Sequence, residues 1–106
     1  QNVFDNVYKK LQEYVKTDDY TKNMSEKIRN AMEKADHNYT VVISSADEKL
    51  IELAKAEGFD TQIIDRNFIG GCRVIDNTAK TLVDMTFAAA MEEESVAFLE
   101  KYFDLN

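Results

Sequence analysis

The sequence predicts a small α/β (α+β) fold, a mixed four-stranded sheet packed by helices in the order α-α-β-α-β-β-β-α. Three observations lead there. The first third of the chain repeats apolar residues at spacings of three and four, the stripe of amphipathic helices. The run "YTVVI" is followed by a helical stretch and a second extended run, a crossover unit that requires two parallel strands. Two further apolar runs flank a polar turn and read as an antiparallel hairpin.

Each element has its own signal. Phe4, Val7, Tyr8, Leu11 and Val15 form one stripe of a first helix, which Thr17, Asp18 and Asp19 interrupt because short polar side chains compete for backbone hydrogen bonds. Tyr20, Met24, Ile28, Ala31, Met32 and Ala35 form the apolar face of a second helix. "YTVVI" is too short for a helix and reads as a buried strand. Ser45 stands three residues before Glu48 in the capping-box arrangement, Leu50, Ile51, Leu53 and Ala54 follow as a core face, and Gly58 supplies the left-handed stop. "FDTQIID" resumes an extended pattern. "FIGGCRVID" and "KTLVDM" flank Asn77 and Thr78, with Asn77 expected to take the positive φ of the turn. A last helix, from about residue 85 to 103 and opened by Asp84 as N-cap, would bury Phe87, Met91, Phe98, Leu99 and Tyr102.

A chain of 106 residues fits one domain, and at that size roughly 60 to 70% of the unfolded surface can be buried. With 44% hydrophobic and 31% charged residues, no proline and three glycines, the composition is that of a helix-rich folded protein. A net charge of -7 repels phosphate backbones and anionic lipid heads, which argues against nucleic acid as a partner. No apolar run approaches the ~20 residues that cross a bilayer, and the amino terminus lacks a secretory pattern. One cysteine and one histidine leave no disulfide within the chain and no ordinary zinc site, so a cytosolic setting is expected. The chain begins at Gln1, from which a processed or excised piece is expected.

Candidate chemistry concentrates in "NFIGGCRVIDNTAKTLVDMTF". Gly70-Gly71 could form an anion nest, but dinucleotide and P-loop sites need a helix directly after the glycines, and an apolar strand follows here. A bulge, kink or close backbone approach is expected instead. Cys72 would be a nucleophile only beside a base, and His37, in a polar connector, is the one histidine that could reach it; a buried, inert thiol is expected. Asp65, Asp76 and Asp84 invite a magnesium reading, yet each stands where Asp is expected structurally. Glu92 to Glu94 and Glu100 read as a solvated helix face. The chain reads as a domain that binds, with no catalytic, cofactor or metal residues assigned.

These residues carry a resemblance. Gly70-Gly71, the strand Cys72-Arg73-Val74-Ile75, the turn from Asp76 to Lys80, then Val83-Asp84-Met85-Thr86-Phe87 opening a helix through Ala88 to Glu92, resemble the C-terminal globular region of the E subunit of rotary V-type and archaeal A-type ATPases. "YTKNMSEKIRNAMEKA" and "VVISSADEKLIELAKAEGFDTQI" extend the resemblance over nearly the whole chain after about Lys16. Gly70, Gly71, Arg73, Asp84, Thr86 and Phe87 are the family-motif positions. Met85 and Ala90 depart from the family's Asn and Arg, and the family's Asp-Gly turn is missing. No contact through that arginine is implied for this chain.

The resemblance implies a peripheral-stalk, or stator, subunit with no turnover of its own, cytoplasmic and peripheral to a membrane ion-translocating ATPase. Its head would hold the B subunit of the catalytic hexamer, and its upstream helix would form a coiled coil with a G- or H-type stalk partner. Residues 1–18 would be the end of that stalk helix and 19–106 the head; Phe4, Val7, Tyr8 and Leu11 would be the stalk interface, or would let the piece self-associate. The F-type ATP synthase delta subunit is the alternative within the same role, a flagellar or secretion-system stator keeps the role in another machine, and a small α/β nucleotide- or thiol-dependent enzyme is the alternative outside it.

Overall fold

The protein's structure, a computed structural model, describes residues 3–93, with the side chains of residues 3–5, 7 and 91–93 outside the description. Helices α1 (Val3–Tyr14) and α2 (Asp18–Ala31) precede strand β1 (Tyr39–Ser44), helix α3 (Glu48–Glu57), strands β2 (Thr61–Ile64), β3 (Arg73–Asp76) and β4 (Thr81–Asp84), and helix α4 (Phe87–Glu93). The expected α+β architecture and element order are observed. The sheet order is β2-β1-β3-β4, with β1 and β2 parallel and both other pairs antiparallel.

Helix boundaries follow from single side chains. The Thr17 hydroxyl donates to the Tyr14 carbonyl at 2.7 Å and accepts the Tyr20 N–H at 3.2 Å, so one group closes α1 and opens α2. At α3 the expected capping box is not used. The Ser45 N–H still belongs to the sheet, donating to the Ile64 carbonyl, so the helix cannot begin there; Asp47 is the N-cap, its carboxylate accepting the Leu50 N–H at 3.3 Å. Gly58 ends α3 at φ 79°, as its sequence position implies. Helix α2 stops at Ala31, short of Ala35, which is exposed in the connector.

Two further expectations are corrected. The hairpin turn spans four residues, and its left-handed residue is Lys80 at φ 62°, not Asn77. The Asp76 carboxylate accepts the Thr78 and Ala79 N–H groups and holds the chain in a right-handed arc, which must reverse at Lys80. Asn77 is meanwhile tied to β1, its N–H donating to the Asn38 carbonyl and its side-chain amide to Thr40 Oγ1. Asp84 ends β4 and is not the cap of α4: Thr86 is, its hydroxyl accepting the Ala89 N–H, while Asp84 Oδ1 accepts both the Thr86 N–H and hydroxyl. The expected burial of Met91, Phe98, Leu99 and Tyr102, and the acidic face at Glu92 to Glu94 and Glu100, lie outside the described side chains.

The core is one cluster on one face of the sheet. Val41, Ile43 and Val74 of the strands meet Tyr20, Met24 and Ile28 of α2, Leu50 and Ala54 of α3, and Phe87 of α4. Leu11 of α1 is fully buried in the same cluster, with Tyr14 and Val15 packed against it. Helix α1 has 12 residues, a length that is marginal in isolation. Burial of Leu11 contributes roughly 1.5 to 3 kcal/mol, enough to hold the carboxyl-terminal turns of α1 on the rest of the fold. Packing therefore does not divide at residue 18.

Candidate functional site

Gly70, Gly71, Arg73, Asp84, Thr86 and Phe87, the positions that carry the sequence resemblance, lie at one end of the sheet, where the chain leaves β2, passes through the glycine pair and enters β3. A Cβ on Gly70 would stand 2.6 Å from the Val15 side chain and 2.7 Å from the Phe87 ring. Gly71 lies at φ 79°, and a Cβ there would meet the Met85 carbonyl oxygen at 2.2 Å. Both glycines thus answer a close approach, one of side chains and one of backbone. The Gly70 and Phe68 carbonyls accept the Phe87 and Ala88 N–H groups, satisfying donors at the start of α4.

Tyr20 joins this turn to α3. Its buried hydroxyl accepts the Gly71 N–H at 2.7 Å and donates to Asp47 Oδ2 at 2.5 Å. Asp47 Oδ1 caps α3, so glycine turn, α2 and α3 share one hydrogen-bonded chain. Burial pushes the Tyr20 phenol above its usual range, reinforced by the Asp47 charge and hydrogen bond. Burial likewise raises the Asp47 carboxyl, against which the Tyr20 and Leu50 hydrogen bonds act. Around Tyr20, the Tyr14 and Phe87 rings pack edge-to-face at 5.6 and 5.9 Å between centroids. On the sheet's other face the Arg73 guanidinium lies 4.9 Å over the Phe68 ring, and its Nε donates to Asp84 Oδ2 at 3.3 Å.

An open groove of about 480 Å³ adjoins this junction, lined by Val15 and Lys16 after α1, Ser44 and Asp47 beside α3, and Asn67 to Gly70. It lies by the carboxyl end of β1, a common ligand position in open α/β sheets. Three of its polar side chains have local partners: Asp47 holds Tyr20 and Leu50, Lys49 reaches Asp18 at 3.0 Å, and Asn67 Oδ1 accepts the Ile69 N–H. Ile69 lines it at φ 68°, a conformation costing a β-branched residue roughly 1 to 3 kcal/mol.

Other sequence candidates separate in space. Cys72 is buried, and burial, followed by the charges of Asp47 and Asp84, pushes its thiol up to about 12, far from a reactive thiolate. His37 does not serve it: its Nδ1 lies 2.6 Å from Asp76 Oδ2, and its ring stacks on Tyr39, at the far end of β3. Asp76 and Asp84 stand at opposite ends of the hairpin ladder, and Asp65 follows β2, so the three carboxylates do not form one cluster. Among the described residues no group of three or more His, Cys, Asp or Glu could hold a metal ion, and no helix is long and apolar enough to cross a membrane. In α1, Leu11 faces the core and is closed to a partner helix, whereas Tyr8 is half-buried; the side chains of Phe4 and Val7 lie outside the described residues.

Sequence reasoning missed Tyr20 and Asp47 as partners of the glycine turn. Asp47 had a signal, an Asp three residues before Leu50 at a helix start. Tyr20 had only its place in a stripe, and nothing in the sequence marks Ile69 as left-handed. The chain matches no family model, no curated protein and no solved structure.

Proposed function

We propose that this chain is the globular head of a peripheral-stalk subunit of a V-type or A-type rotary ATPase, a non-catalytic stator piece that holds the B subunit of the hexamer against torque. The motif resemblance motivates the reading. The observation that carries it is the junction between α1 and the head: Val15 abuts Gly70, Leu11 is in the core, and Tyr14 packs on the Tyr20 and Phe87 rings. Force arriving along α1 would pass into the glycine turn, and from there through Tyr20 and Asp47 into α3 and through Phe87 into α4. A stalk head needs such a stiff joint.

In this reading the protein is cytoplasmic and meets the membrane only through its complex, with a G- or H-type helix paired to the exposed side of α1. The 106-residue chain should bind the B subunit in a pull-down at low ionic strength, and the complex should weaken as salt rises, because a chain of charge -7 grips through polar contacts. Absence of binding to the B subunit and to the intact hexamer at low salt would refute the assignment.

A further inference from the structure

We propose that residues 66–70 form a strap that opens and closes together with the first turn of α4, with Ile69 as the strained residue that drives it open. The strap joins β2 to β3 along one wall of the groove, and among the described residues it takes no part in the sheet ladder. Side-chain and backbone contacts hold it closed. The Phe68 ring is buried against the Arg73 guanidinium, and Asn67 Oδ1 accepts the Ile69 N–H at 2.9 Å. The Phe68 and Gly70 carbonyls accept the Ala88 and Phe87 N–H groups at 3.0 and 2.9 Å.

Those two carbonyls fix the residue between them. To meet successive amides at the start of one helix the chain reverses at Ile69, which stands at φ 68°. That angle strains a β-branched residue, whereas glycine or asparagine takes it at lower cost. Gly70 and Gly71, which follow, each answer a close approach of their own and leave the strain at Ile69 in place. It persists while α4 holds both carbonyls, and opening releases it. Neither carbonyl can leave without freeing an amide of α4, so strap and helix start move as one unit. Two other parts of the fold feel that movement. The start of α3 forms the facing wall, so an open strap widens the groove of about 480 Å³. Val15, after α1, abuts Gly70 and loses that contact as the strap leaves. Local opening thus links the seat of α1 to the start of α4 without global unfolding. Burial of Phe68 and the packing of Ile69 on the core keep the open form minor.

Native-state hydrogen exchange of the full chain, followed residue by residue by NMR, tests this. The Phe87 and Ala88 amides, which donate to the strap, should exchange together with the Ile69 amide. All three should exchange faster than the Val41 amide of β1, which reports global unfolding, and faster than Ala90, whose bond to the Thr86 carbonyl lies within α4. Ile69→Gly and Ile69→Asn should each slow Phe87 and Ala88 about tenfold relative to Val41, because the closed form no longer carries the strain. Ile69→Val keeps a β-branched residue at that angle and should leave their exchange unchanged, whereas Asn67→Ala removes one tie and should speed it. Exchange of Phe87 and Ala88 in step with Val41 would leave no separate opening and overturn the proposal. So would exchange in step with Ala90 but apart from Ile69, which is fraying of α4 alone, or a failure of both Ile69→Gly and Ile69→Asn to slow it. The strap does not depend on the stator reading, which stands or falls on the B-subunit pull-down.

Discussion

The two ends of the sheet solve the same problem with the same residue type, and the outcome is opposite. At one end Asp47 caps α3 and accepts the Tyr20 hydroxyl; at the other Asp76 closes the hairpin turn and faces the His37 ring. Yet the Asp47 carboxyl is raised and the Asp76 carboxyl lowered. Desolvation opposes charge at both. At Asp76 the Ala79 and Thr78 N–H groups and the imidazole outweigh it, and at Asp47, under the helix layer, two donors do not. A turn aspartate at the rim stabilises as an anion, whereas one drawn into the core holds geometry at some cost in charge.

The buried end should therefore be the fragile one. Gly71→Ala has the largest expected effect, a loss of about 3 to 5 kcal/mol in urea denaturation, because φ 79° and the Met85 carbonyl both oppose a Cβ. Gly70→Ala should cost less, about 2 to 3 kcal/mol, since Val15 and the Phe87 ring can shift where a backbone carbonyl cannot. If the two substitutions proved equal, the distinction between side-chain and backbone approach would fail.

Tyr20→Phe isolates the hydrogen-bonded chain from its packing. It leaves the Gly71 N–H buried without its partner, and a loss of about 1 to 3 kcal/mol follows in the same measurement. At the rim the sign reverses: Lys80→Gly should stabilise by about 0.5 to 1 kcal/mol, because glycine takes φ 62° without steric cost. A destabilised Lys80→Gly variant would show that the lysine side chain makes a contact worth more than the backbone strain.

The smallest effect is the shape of stability against pH. Asp47, raised in the folded state, binds its proton more tightly there than when unfolded, so stability grows as pH falls through its folded value toward the ordinary carboxylate range. Asp76 and Asp84, lowered in the folded state, contribute stability above that range and lose it as pH falls below about 4. Thermal melts should trace a shallow maximum on the acid side of neutrality. Asp47→Asn should remove its upper limb and leave the lower one, and an unchanged upper limb would assign that slope to other groups.

Much of this was legible in order of residues alone. Amphipathic spacing marks α1 and α2, β-branched runs mark β1 and the hairpin, Gly58 marks the end of α3, and the glycine pair marks a close approach. Such signals are local, since they depend on side-chain period and on which residue tolerates a given φ. The partners of the glycine turn were decided by tertiary structure. Tyr20 lies 51 residues from Gly71 and 27 from Asp47, and whether that tyrosine is filler or link depends on where the turn stops beneath it. The helix starts at Asp47 and Thr86, and the positive φ at Lys80 and Ile69, were likewise set by the sheet, which keeps the Ser45 amide in its ladder and leaves each reversal to whatever residue follows. Local sequence determined the elements; their ends and their joint were decided by hydrogen-bond groups that only the assembled sheet could leave unpaired.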